Sequence, residues 1–120
     1  MIRNYRDLVV WQKAISFVTD VYHITRQLPA EERYGLCSQI RRSAVSIPSN
    51  IAEGYGRNSI QDYIRFLQIA NGSLFEFQTQ LEIIKNLEYI TRDRFEDLFS
   101  QSREIERMLK SLINKLRRTT

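Results

Sequence analysis

The 120-residue chain is poor in the residues that carry most chemistry. It has one cysteine, Cys37, so no intrachain disulfide can form and no oxidising compartment is implied. Leu36 and Ile40 flank Cys37 and no histidine lies near it, which makes it a small apolar filler rather than a reactive thiol. It also has one histidine, His23, and this scarcity excludes more. Asp20 and His23 have the i, i+3 spacing of carboxylate-bridged di-metal bundles, but such sites need a second histidine element and two further carboxylates. A Ser-His-Asp or Cys-His arrangement would have to use the same His23. Its helical neighbours Thr19, Asp20, Arg26 and Gln27 instead mark a polar surface face. The reading is therefore non-enzymatic, with no catalytic residue, no metal and no cofactor.

Four glycines and two prolines are too few turn formers for a sandwich or barrel of many short strands. Gly54-Tyr-Gly56 is too short for a dinucleotide fingerprint and follows no strand. No apolar run approaches the roughly 18 residues of a membrane span, so no membrane partner is expected. The opening Met-Ile-Arg-Asn-Tyr-Arg-Asp lacks a signal-peptide apolar region, and a cytoplasmic location is expected. In that compartment the glycosylation tripeptide Asn71-Gly72-Ser73 carries no meaning.

What is present is a helical pattern. Hydrophobic residues make up 42% and charged residues 27%, as in ordinary globular domains, and the length suits one domain. Apolar positions recur at steps of three and four in four segments, at about 8–28, 34–57, 59–88 and 92–117. The first segment carries two rows. One is Leu8, Trp11, Ile15, Val18, Tyr22 and Thr25; the other is Val10, Ala14, Phe17, Val21, Ile24 and Leu28. One row suffices to face a core, so part of this wide face is expected to be covered by another subunit. Pro29 ends that helix and can open a short turn at its first position.

In the second segment, Pro48 is expected to kink or divide the helix, and small residues from Ser43 to Gly54 permit close backbone approach. Gly54 and Gly56 would then end it. Ser59 and Thr91 are placed to cap the third and fourth helices. The third carries a heptad-like row from Ile60 through Leu67, Leu74 and Leu81 to Ile84. Gly72 interrupts it, and a close neighbouring backbone is the expected compensation. Tyr63, Phe66, Phe75 and Phe77 fall on its apolar side as core or interface residues. The fourth row is Phe95, Leu98, Ser102, Ile105, Leu109, Leu112 and Leu116. Short connections make consecutive helices antiparallel, so the expected fold is an all-α, up-down-up-down four-helix bundle with its second helix kinked at Pro48.

Three stretches carry a resemblance. They are Leu8-Val-Val-Trp11 with Leu28-Pro-Ala-Glu-Glu-Arg-Tyr-Gly-Leu36, the segment Gln39-Ile-Arg-Arg-Ser-Ala-Val-Ser-Ile-Pro-Ser-Asn-Ile-Ala-Glu-Gly54, and Gly72-Ser-Leu-Phe-Glu76. Together they resemble the proteins encoded in intervening sequences of bacterial 23S ribosomal RNA genes. The accessory variability determinant of diversity-generating retroelements belongs to the same structural group. The resemblance implies an antiparallel four-helix bundle assembling as a ring-shaped homopentamer with a basic surface. For a retroelement member it also implies a reverse transcriptase and nucleic acid as partners.

The charge balance is 18 basic against 14 acidic residues, and 14 of the 18 are arginine. Arginine suits planar contact with phosphate or carboxylate. The excess is local. The second helix carries Arg33, Arg41, Arg42 and Arg57 against Glu53, while Arg107, Lys110, Lys115, Arg117 and Arg118 follow the last acid, Glu106. Cations at a helix C-terminus oppose its negative end, but five exceed that need. Arg41, Arg42, Arg57, Arg107, Lys110, Lys115, Arg117 and Arg118 are therefore candidate contacts to RNA or DNA phosphates. Without helix-turn-helix, zinc or aromatic RNA-binding patterns, binding would be backbone-led and salt-sensitive. Asn50, Glu53 and Glu76 are assigned to a structural polar network. Two functions stay open: a homo-oligomeric nucleic-acid-binding scaffold or accessory factor, and a structural or protein-interaction module without direct nucleic-acid binding.

Overall fold

The computed structural model describes residues 1–119, and all its long elements are helices. A 3-10 turn at Tyr5–Asp7 leads into α1 (Val9–Thr25), and a second at Ala30–Glu32 precedes α2 (Leu36–Tyr55). Two long helices follow, α3 (Ile60–Asn86) and α4 (Arg92–Arg118). Each packs against the next, and α4 closes the bundle against α1.

Cross-helix contacts give the direction of every pair. Ser43, Ser46 and Gly54 of α2 meet Gln80, Ser73 and Phe66 of α3, so one numbering rises as the other falls. The same inversion relates α1 to α4, where Lys13 is ion-paired to Glu104 at 3.1 Å and Asp20 accepts from Gln101. The result is an antiparallel four-helix bundle about 46 Å long. The α1–α2 and α3–α4 turns lie at one end; the α2–α3 turn and the end of α4 lie at the other.

Local chemistry sets the helix ends. Ser59 Oγ accepts from the Asp62 amide at 3.1 Å and Thr91 Oγ1 from the Arg94 amide at 3.3 Å, as the sequence pattern requires. The first helix stops at Thr25, three residues short of the expected limit. Leu28 precedes Pro29, and a residue before proline is pushed out of the helical region. Pro29 sits as the N-cap of the short turn rather than inside it. The second helix begins at Leu36, whose amide is met by the Glu32 carboxylate at 3.2 Å. It runs through Pro48 undivided, with that ring buried.

The core is built from the expected rows. Val10, Ala14, Phe17, Val21 and Ile24 of α1 are buried, as are Leu67, Ala70, Leu74, Phe77, Leu81 and Ile84 of α3. Phe17 and Phe77 meet edge to face at 4.8 Å in the middle of the bundle. In α4 the buried row shifts from Leu112 to Ile113, as the 3.6-residue helical period drifts from a seven-residue repeat.

Two glycine expectations need correction. A Cβ at Gly72 would meet nothing within 4 Å, so no close backbone compensates it; this residue is exposed. The close approach is at Gly54, where a Cβ would lie 2.7 Å from Phe66 Cβ and 3.2 Å from the Tyr63 carbonyl. Gly54 therefore lies within α2 as a packing residue, and Gly56 forms the C-cap. Among the aromatics assigned to the apolar side of α3, Phe75 is also a correction: it is 47% exposed.

Candidate functional site

The bundle separates the candidate cations. Arg41 and Arg42 lie near the α1–α2 turn, whereas Arg57 and the C-terminal run of α4 lie toward the opposite end. One surface does not gather them all.

Arg41 is tied into the fold. Its Nε donates to Thr25 Oγ1 at 2.9 Å and its Nη2 to the Tyr22 carbonyl at 3.2 Å, while its guanidinium lies 4.5 Å from the Tyr22 ring centroid. A cation among the last carbonyls of α1 is favoured by the helix dipole. Arg42 is exposed and has no ion-pair partner among the described residues. With Arg33, Arg41 and Tyr34 it lines a shallow cleft of about 460 Å³ between α1 and α2. Arg57 is engaged by Glu53 at 3.2 Å and lies 4.5 Å from the Phe66 ring centroid.

Asn50, Glu53 and Glu76 do not meet one another. Asn50 donates to the Ser46 carbonyl and hydroxyl, and Ser46 pairs with Ser73 across to α3. Glu76 accepts from Gln80 Nε2 at 3.3 Å, while buried Ser43 donates to Gln80 Oε1 at 2.7 Å. Glu53 stays exposed with Arg57. The α2–α3 seam thus has two separate polar links, both built on serines that the sequence pattern recorded only as small residues.

The C-terminal half of α4 is arranged differently. Arg107, Lys110, Lys115 and Arg118 are exposed and have no ion-pair partner among the described residues. Arg107, Lys110, Ser111, Asn114 and Arg118 line one groove of about 300 Å³. Their spacing of three or four residues stacks them along one helix face, and eleven residues of helix span about 16 Å. Lys115 turns toward α1, beside Leu8, Val9 and Met108. Arg117 turns toward α3 and lines an adjacent cleft of about 350 Å³ with Asn71 and Phe75. Asn114, Asn71 and Phe75 were not among the candidate residues. The spacing of Asn114 from Arg107 and Arg118 offered a signal for the first; nothing in sequence distance linked the other two to α4.

Among the described residues, no group of three or more His, Cys, Asp or Glu could hold a metal ion. No described helix is long and apolar enough to cross a membrane. Fold and surface together define an antiparallel four-helix-bundle protein with an exposed basic stripe on its last helix. The model of the family described as 23S rRNA-intervening sequence protein matches residues 6–111, and the chain belongs to this family. It is also similar to a crystal structure of a protein of unknown function from the S23 ribosomal protein family of Bacteroides thetaiotaomicron VPI-5482. The two are 34% identical with a TM-score of 0.82, covering 88% of this chain and 98% of that one. No curated protein matches the chain.

Proposed function

We propose that this chain is a non-enzymatic, homo-oligomeric scaffold or accessory factor that binds nucleic acid through the basic stripe of α4. The supporting observation is that Arg107, Lys110 and Arg118 share one exposed face with Asn114 and lack acidic partners among the described residues. These three cations, with Lys115 on the adjoining face toward α1, would contact phosphate oxygens and release condensed counterions, which makes binding backbone-led and steeply dependent on salt. The assembly proposed is the pentameric ring, in the cytoplasm. Leu8, Trp11 and Val18 of the outer α1 row pack against the chain's own core, and the two residues of that row left exposed, Ile15 at 41% and Tyr22 at 39%, support a covering subunit. A retroelement member would also take a reverse transcriptase as partner. The non-enzymatic reading rests on the inventory of the chain, whose one histidine is exposed.

Mobility shift with structured RNA and with duplex DNA, at low and moderate salt, tests the proposal. Binding that weakens steeply with salt and is lost when Lys110 and Arg118 are both replaced by Ala is expected. No binding at low salt by protein shown to be folded would overturn it.

A structural or protein-interaction module without direct nucleic-acid binding is the second reading. It is favoured by Arg41 and Arg57, whose guanidinium groups are engaged by the chain itself. No binding of either nucleic acid by folded protein would select this reading, whereas unchanged affinity of the α4 double variant would move the contact away from the stripe.

A further inference from the structure

Beside the basic stripe lies a cleft with a different chemistry. It is walled by Gln68, Asn71 and Phe75 of α3 and by Lys110, Ile113 and Asn114 of α4, and measures about 350 Å³, within the range of small-ligand sites. Lys110 and Asn114 line both this cleft and the groove of the stripe, so the two share a wall.

Three features of the cleft are unexplained by folding alone. Phe75 leaves 47% of its surface in solvent although the same helix buries Leu74 and Phe77 completely. Asn71 Oδ1 is buried without a hydrogen-bond partner, an arrangement that ordinary packing avoids. Three side-chain amides, those of Gln68, Asn71 and Asn114, converge there with a cation. The lining carboxylate, Glu106, is held by Arg103 at 3.3 Å and accepts from Gln78, so its charge is offset within the chain.

We propose that this cleft takes an unpaired nucleobase of a single-stranded nucleic acid, stacked on Phe75, with the adjoining phosphates on Lys110 and the α4 stripe. An aromatic face beside a cationic track is the arrangement by which single strands are held, because every base has a π-face. The amides supply donors and acceptors for a base edge, which is exposed only when the base is unpaired. A duplex keeps its bases stacked and would engage the stripe alone. The proposal rests on the nucleic-acid reading above and adds to it the strandedness of the partner.

The test compares a fluorescein-labelled oligouridylate of about twelve nucleotides with a duplex of equal length, by anisotropy at low salt. Phe75→Ala is expected to weaken oligouridylate binding about tenfold and duplex binding less than about twofold, and Phe75→Trp to restore it. Photocrosslinking with a 5-iodouracil oligonucleotide is expected to label the peptide containing Phe75. Circular dichroism monitors folding of each variant, and the exposed position of Phe75 keeps its truncation compatible with the native bundle. Unchanged oligouridylate affinity in Phe75→Ala, or equal loss on both probes, would overturn the base cleft. If the Lys110/Arg118 double variant meanwhile loses both probes, the stripe reading stands without the cleft. No binding of either probe by folded wild-type protein would overturn both.

Discussion

The Arg41 guanidinium lies 4.5 Å from the Tyr22 ring centroid and donates through Nε to Thr25 Oγ1 at 2.9 Å, joining the start of α2 to the last turn of α1. Thr25 Oγ1 in turn donates to the Val21 carbonyl at 2.7 Å, so Arg41 completes a bonded corner instead of extending into solvent. Arg41→Ala is expected to destabilise the fold by about 1–2 kcal/mol through loss of charge-assisted hydrogen bonds and ring contact. Arg42→Ala, one residue on and exposed, should stay within about 0.5 kcal/mol of wild type. Urea denaturation of the two variants checks the contrast; equal effects would refute it.

Two glycines in different surroundings make opposite predictions. Gly54→Ala places a methyl 2.7 Å from Phe66 Cβ, in the seam where α2 and α3 approach closely, and should cost about 1–3 kcal/mol. Gly72→Ala meets nothing within 4 Å, at a helical position without positive φ. It should stabilise the protein by about 0.5–1 kcal/mol. Thermal melts of both variants suffice.

The α4 stripe has a salt signature. Phosphate contact by Arg107, Lys110, Lys115 and Arg118 predicts a slope of log affinity against log salt near −3.6 per protomer engaged, at about −0.9 per contact on duplex DNA. Each alanine replacement should reduce the slope magnitude by about 1. Titration over several salt concentrations measures it, and a slope near zero would contradict phosphate contact.

Tyr63 gives the stability a pH dependence at the alkaline limit. Burial, and next the neighbouring Tyr55, push its phenol from near 10 up to about 12. Above pH 10 the unfolded chain releases this proton while the folded chain retains it, so folding stability falls as pH rises toward 12. Below that window the group contributes no slope. Tyr63→Phe should flatten the decline, as measured by denaturant midpoints across the range.

Ile15 and Tyr22, left exposed on the outer row of α1, make the proposed assembly testable. Light scattering is expected to give a particle of five 14.3 kDa chains, and Ile15→Asp to disperse it while leaving the helical signal intact. Buried Phe17, two residues away on the other row, serves as the contrast: its truncation to Ala should cost about 3–5 kcal/mol of fold stability. A wild-type monomer would refute the assembly.

Local patterning made much of this fold legible in the sequence. The rows from Val10 to Ile24 and from Leu67 to Ile84 follow helical periodicity, and Ser59 and Thr91 are caps recognisable from residue type and position. These features depend on neighbours within one or two turns, so a linear sequence contains them. The accumulation of cations after Glu106 was legible for the same reason, as was the family from its long α2 motif. Tertiary structure decided which small residues face which neighbour: Gly54 under Phe66, Ser43 on Gln80, Ser46 on Ser73, and Gly72 against open solvent. It also decided that Arg41 is consumed by Tyr22 and Thr25 while Arg107 and Arg118 stay exposed, and it placed Phe75 and Asn71 beside Lys110. Each of these depends on how one helix is rotated and shifted against another. That geometry is set by packing of the whole core, and no spacing within a single helix encodes it.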